Sequence, residues 1–430
     1  MTNRLLQISW ALGGLLALVA VPAGTAAHAQ DRTPAGYAVT DLGTLGGANS
    51  FAYSINRAGQ VTGGANTTGQ NDPIAQTAFL WAGGRLINLG TLGGSACVPA
   101  CSSEGAAASA SGTVAFLSET ANLDPDGEDF CEFGTHRQCL AVLWRGGART
   151  VLPTLGGRNA EAFFINSLGE AVGVSETETP DDACLTPSQV HQFKAVKWSP
   201  ALEPTALEPL AGDTVSFAFT NNDRGETVGF SGLCSNVTLP PFLPPSAPHA
   251  VMWDVNDVAH DLGNPRDGAG DNVAVGINDH GQITVNSVMN DGTIHAFVSS
   301  GGALQDLGTY PSDAFLTFAP CCNNINNAGQ IVGSSLDSQF NQRVLLWRNK
   351  DAAPIDLNTL LPEGSPWYLV VPAGINDAGA IAATAVNIQT NEIHAVLVSP
   401  IHGPAPAARG AAPLTLPESV RATLRSQPRR

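Results

Sequence analysis

The chain has 430 residues, a formal net charge of −17, 46 Gly and 29 Pro, and only 13% charged residues. Arg4 near the start and a net +4 beyond residue 400 leave residues 30–400 at −22, which excludes nucleic acids and anionic membrane surfaces as partners of the body. So much Gly and Pro, with almost no helical periodicity, excludes helical bundles and points to many short strands joined by turns.

The first segment carries Arg4, an apolar run from Ala11 to Val21, and Ala27-His28-Ala29. This is the pattern of an export leader cleaved after a small-x-small site, so residues 1–29 are expected to be removed. The apolar run is short for a membrane anchor of about 20 residues. The expected location is secreted or periplasmic, with no membrane span once the leader is gone.

Next comes Asp41-Leu42-Gly43 within "DLGTLGG", which returns as "NLGTLGG" at 88–94. A turn signal I-N-x-x-G follows at Ile55, Ile165, Ile277, Ile325 and Ile375, with degenerate copies at Ser109–Gly112 and Asn222–Gly225; the seven glycines are spaced 53, 57, 56, 56, 48 and 50 apart. Apolar alternation flanks each turn, so each reads as a hairpin whose Asn and Gly take positive φ. A third apolar segment follows in all seven units, from "AFLW" at 78 to "AVLV" at 395. A fourth, centred on Leu89, Leu152, Leu207, Leu262, Leu307 and Leu357, occurs only six times; the missing copy is Asp41-Leu42-Gly43 at the other end of the chain.

Units of four strands with one displaced strand predict an all-β fold: a seven-bladed β-propeller of four-stranded blades, closed by the N-terminal strand completing the last blade. Closure removes the sheet edge that an open array would expose. A β-solenoid or a string of sandwiches leaves the displaced strand unexplained. The expected domains are the leader, one propeller over 30–400, and a flexible Pro/Ala/Arg-rich tail over 401–430 with a short helix near Pro417–Arg425.

Eight cysteines in an exported chain predict disulfides. Cys97/Cys101 and Cys131/Cys139 are close enough for local bridges, Cys321 and Cys322 are adjacent, and Cys184/Cys234 remain as the long-range pair, one set among the 105 connectivities that eight cysteines allow. All eight are placed by this reading on the face of the 2-3 loops and 4-1 connections. That face also holds the longest loops, near 118–138, 175–191 and 231–248, and is the expected functional face.

Just before the first strands stand Asn49, Glu104, Asn159, Glu161, Asp213 and Asp271. Such amides and carboxylates around a channel mouth suit a polar ligand such as a glycan; the competing reading is that they cap strand ends. The loop "NLDPDGEDF" offers Asp124, Asp126 and Glu128 as oxygen ligands of calcium type, against a simply solvated acidic loop. No other cofactor is implied. The histidines before Ala-Phe/Val read as structural, and Trp81, Trp144, Trp198, Trp253 and Trp347 as packing between blades.

These units resemble the HAF-repeat family of extracellular bacterial proteins over residues 37–399, with the His-Ala pair standing as His249-Ala250, His295-Ala296 and His394-Ala395 and replaced at Thr77, Leu140 and Lys194. The resemblance implies an exported repeat protein and transfers no catalytic residue. The chain has neither GxSxG nor HExxH. The functional expectation is a non-catalytic binding or scaffolding module for a polysaccharide or another surface protein. The alternative is a propeller hydrolase or lyase drawing carboxylates such as Glu104, Glu161, Asp213 and Asp271 from several blades.

Overall fold

The I-N-x-x-G turns close by one repeated bonding scheme. Asn56 Oδ1 accepts from the N–H groups of Ala58 and Gln60, while Asn56 N–H reaches Gln60 O and Gly59 N–H reaches Asn56 O. Gly59 sits at φ 76°, whereas none of the turn asparagines has positive φ. The sequence expectation that Asn and Gly share the left-handed region is therefore corrected: glycine alone supplies it, and the asparagine serves as a hydrogen-bonding side chain.

The computed structural model describes residues 34–70, 75–97, 100–184, 189–237, 247–265, 270–311, 313, 316–336, 341–404, 407 and 416–425, all within one compact unit, Pro34–Arg430. The expected leader, residues 1–29, lies outside the described residues. The strands form seven antiparallel four-stranded blades in a ring. Blade 1 is Gly46–Ile55, Val61–Thr67, Thr77–Ala82 and Arg85–Asn88, and blades 2, 3 and 4 begin with Ser103–Ala108, Gly156–Ile165 and Val215–Asn221. Blade 5 begins with Asn272–Ile277 and blade 6 with Leu316–Phe318; parallel bridges, Ile294 with Leu316 and Gly276 with Cys322, join these two.

Blade 7 takes Trp367–Ile375, Ile381–Asn387 and Ile393–Ile401 from the end of the chain and its outer strand, Gly36–Asp41, from the start. The register runs from Gly36 opposite Ile401 to Asp41 opposite Val396, so the displaced strand closes the ring as the repeat count predicts. Its Leu42 N–H bonds Ala395 O just as Leu89 bonds Ala78 O, Leu152 bonds Ala141 O and Leu307 bonds Ala296 O. In the same "DLG" context Asp41 Oδ1 accepts from Gly43 N–H, and Asp306 from Gly308 N–H. The motif is thus a fourth strand ending in an Asx turn.

Its acid also pairs with the third strand. His394 Nδ1 lies 2.9 Å from Asp41 and His295 Nδ1 lies 2.9 Å from Asp306, and in blade 3 Lys194 pairs with Glu208 at 2.7 Å. The recurrent histidines are cross-strand partners within a blade. Tryptophans join one blade to the next: Trp198, Trp253 and Trp347 donate through Nε1 to the carbonyls of Pro153, Glu208 and Leu307. All three rings are fully buried.

Residues 401–430, read as a flexible tail, contain the helix Glu418–Arg425. Leu416, Val420 and Leu424 make an i, i+4, i+8 stripe that is buried against Phe51, Tyr368, Val370, Val386 and Ile393. The helix therefore packs on blades 7 and 1 beside the 2-3 connection of blade 7. Among the described residues no helix is long and apolar enough to cross a membrane.

Candidate functional site

The seven turns converge at one mouth of the ring, and their asparagines tie blade to blade. Asn222 Nδ2 donates to Asn278 O, Asn278 to Asn326 O, Asn326 to Asn376 O, and Asn376 back to Asn56 O, at 2.9–3.1 Å. In blade 2 Ser109 stands in place of Asn and turns its hydroxyl to Ser111. The residue after each Asn, or after Ser109, varies around the ring and rims the mouth: Arg57, Ala110, Ser167, Asn327 and the aspartates Asp223, Asp279 and Asp377. A second chain of bonds runs through this rim, Asp223 N–H to Asp279 Oδ1, Asp279 N–H to Asn327 Oδ1 and Asn327 N–H to Asp377 Oδ1, each 2.9 Å.

Arg57 reaches across this ring to three carboxylates from three other blades. Its guanidinium pairs with Asp223 at 3.2 Å, with Asp377 at 3.3 Å and, in closest contact, with Asp279. Burial opposes ionisation of Asp279, but the Asp223 N–H, the Asn327 amide and the Arg57 charge outweigh it and hold that carboxyl below its usual range. Because the guanidinium is about half exposed, each pair contributes no more than about 1 kcal/mol.

The pocket inside the rim ends on a plug. After its short first strand, blade 6 continues through Cys321-Cys322-Asn323 into the channel, where Cys322 Sγ lies 3.4 Å from Phe219 O of blade 4. Asn323 Nδ2 donates to Ile55 O of blade 1. Contacts from blade 6 to two non-adjacent blades mean that this segment spans the channel. Aromatic rings from blades 3 and 4 fill the space beside it, Phe163 and Phe217 with centroids 4.9 Å apart and Phe217 and Phe219 4.7 Å apart.

All four expected cysteine pairs are disulfides: Cys97–Cys101, Cys131–Cys139, Cys184–Cys234 and Cys321–Cys322. The placement of all eight on the long-loop face is corrected, because Cys321–Cys322 belongs to the channel plug. The structure does not assemble the six expected ligand-binding residues into one site, and none of them lines the pocket. Glu104, Asn159 and Glu161 are buried at 1%, 0% and 4% exposure. Asn49 donates to Asn66 Oδ1 at 3.2 Å, Asp213 accepts from Ser231 Oγ at 2.6 Å, and Asp271 is half-buried and uses its carbonyl on Val288 N–H. Glu104, Asn159 and Glu161 are thus enclosed by the fold rather than presented at a mouth, which the linear sequence does not reveal.

The acidic loop divides in the same way. Asp126 is exposed and faces Arg158 at 3.4 Å, while Asp124 and Glu128 are buried. Asp124 Oδ1 accepts from the N–H groups of Asp126 and Glu128. Glu128 crosses to blade 3, where its Oε1 accepts from Val190 N–H and, at 3.2 Å, from His191 N–H. Sequence reasoning missed its neighbour Glu176, 0% exposed, whose Oε2 accepts from the N–H groups of Arg158 and Asn159. The signal was available: "SET" occurs at both 118–120 and 175–177, and each copy buries its glutamate midway along a second strand.

Burial first, then the hydrogen bond and charge of Glu128, push the Glu176 carboxyl well up, to about 9. An unfolded Glu releases its proton near about 4.3, so the folded state retains a proton that the unfolded chain has lost. The stabilisation this group confers is complete below that value and declines as pH rises toward about 9, with a slope approaching 1.4 kcal/mol per pH unit. Glu176→Gln in metal-free buffer is therefore expected to flatten the fall in urea-unfolding stability between pH 5 and pH 9. An unchanged slope would assign that fall to other groups.

These features define a class: a seven-bladed β-propeller with a polar pocket at the mouth of its short-turn face. No family model matches the chain, and no curated protein matches it. Among solved structures it is similar to the acylaminoacyl peptidase of Pyrococcus horikoshii, at 10% identity and a TM-score of 0.45, over 81% of this chain and 51% of that one. A puromycin-hydrolyzing peptidase of Mycobacterium tuberculosis gives 9%, 0.47, 84% and 56%. The β-propeller domain of the Trilobed protease from Pyrococcus furiosus gives 8%, 0.47, 81% and 95%. The chain thus spans about half the length of the first two.

Proposed function

We propose that this protein is an exported, non-catalytic binding module whose ligand enters the pocket at the short-turn mouth, and that the ligand is a hydroxyl-rich or amino-bearing glycan. The observation that carries this reading is the division of labour within each turn. The asparagines hold the blades together, whereas the following positions bring Arg57, Asn327 and the aspartates Asp223, Asp279 and Asp377 to one opening. Three carboxylates around one guanidinium leave the rim net negative, which suits hydroxyl donors and ammonium groups and disfavours anionic sugars.

Export through the leader at 1–29 and kinship with the HAF-repeat proteins belong to the same proposal, supported by the repeated "DLG", "INxxG" and His-Ala motifs. A glycan array on the mature protein is expected to give binding to neutral or amino sugars that falls at least tenfold in Asp279→Asn/Asp377→Asn and is retained in Asp271→Asn on the other face. Binding that survives the rim variant and fails in Asp271→Asn returns the site to the long-loop face.

A further inference from the structure

We propose that Glu128, Glu176 and His191, at the seam between blades 2 and 3, form a site for a first-row divalent cation of the zinc type. The three side chains come from separate segments: the 2-3 loop of blade 2, the middle of the second strand of blade 3 and the start of its third strand. One ligand atom from each lies within 4.8 Å of the other two, so a small side-chain adjustment brings all three onto one ion with bonds of about 2.0–2.2 Å. This set differs from the calcium-type loop of Asp124, Asp126 and Glu128, because Asp126 faces Arg158 and Asp124 serves backbone N–H groups.

Two independent observations point to a cation. The imidazole of His191 has no hydrogen bond among the described residues, yet it is four-fifths buried with Nδ1 3.8 Å from Glu128 Oε1. That spacing is too long for a hydrogen bond and fits two donors sharing one ion. The second observation is uncompensated charge. Asp124 and Glu128 are 5% and 0% exposed, and among the described residues the only basic side chain within ion-pair distance of either is His191. Buried carboxylates are ordinarily paired with a cation or a metal.

The surroundings prepare the donors. Asn159 Nδ2 donates to Asp124 at 3.0 Å, to Glu176 at 3.2 Å and to Glu128 at 3.4 Å, and its own oxygen is held by Cys139 N–H at 3.0 Å. Such second partners fix the orientation of ligating carboxylates. Two carboxylates with one imidazole favour zinc, cobalt or manganese over calcium, which takes oxygen ligands only.

The test uses the full mature chain, stripped with chelator and dialysed. Titration calorimetry with zinc chloride is expected to show one site with micromolar or tighter Kd. His191→Gln should weaken it at least tenfold, while His260→Gln, an exposed histidine paired with Asp254 on blade 4, should leave it unchanged. Equal affinity in His191→Gln, or calcium bound as tightly as zinc, overturns the proposal. Cobalt(II) added to the unsubstituted protein gives a readout independent of how the variants fold. Intense visible absorption of a low-coordinate ion is expected, and the weak spectrum of the hydrated ion overturns the assignment.

Discussion

Removing residues 34–46 is expected to give an aggregating protein with no sharp melting transition, in contrast to the intact chain. The lost strand pairs six residues with the last blade, from Gly36–Ile401 to Asp41–Val396, and buries Tyr37 at 1% and Leu42 at 6% exposure. Burial of those two side chains alone contributes about 1.5–3 kcal/mol each, a large part of the 5–15 kcal/mol that typically separates folded from unfolded domains. Deletion also bares Ile393–Ile401 as a free sheet edge, which templates edge-to-edge association. The control is a permutant that carries 36–46 after Ile401 through a two-glycine turn. Ile401 already faces Gly36 as Ala82 faces Arg85 across Gly83-Gly84, so this chain is expected to melt like the parent and to elute as the same species. A deletion as stable and monomeric as the parent would contradict the closure.

The second large effect is expected from the Cys184–Cys234 disulfide. It spans 50 residues and ties the 2-3 loop of blade 3 to that of blade 4, with both sulfurs buried in the cluster that holds Phe193 and Val237. On chain-entropy grounds, closing a loop of that length stabilises the fold by about 4 kcal/mol. The four-residue separation of Cys97 and Cys101 gives only about 2 kcal/mol by the same relation. Urea unfolding of Cys184→Ala/Cys234→Ala should accordingly show the larger loss, and Cys97→Ala/Cys101→Ala a loss about half as large. The reverse order would mean that native packing around the shorter bridge, rather than restriction of the unfolded chain, sets the cost.

What was legible in the sequence is what short windows encode. Turn chemistry in "INxxG", the Asx turn of "DLG", the His-to-Asp pairing of third and fourth strands and the recurrence of Trp are relations among residues a few positions apart or in fixed register. Counting them yields seven units and a displaced strand, and from that count the ring and its closure follow. The cysteine pairing was accessible for the same reason, since three of the four bridges are local.

The tertiary structure decided which side chains meet. Arg57 finds Asp223, Asp279 and Asp377 because ring curvature brings equivalent turn positions from different blades to one axis. In one dimension they are simply the variable letter after Asn. Glu104, Asn159 and Glu161 read as mouth residues until the blades stack face to face and enclose them. Glu128 meets Glu176 and His191 only because a 2-3 loop folds over the next blade. A polar side chain acquires its role from neighbours tens to hundreds of residues away. Hydrophobic periodicity determines the strand and its blade, but the twist and closure of the ring determine which polar groups share a pocket and which are buried in a seam.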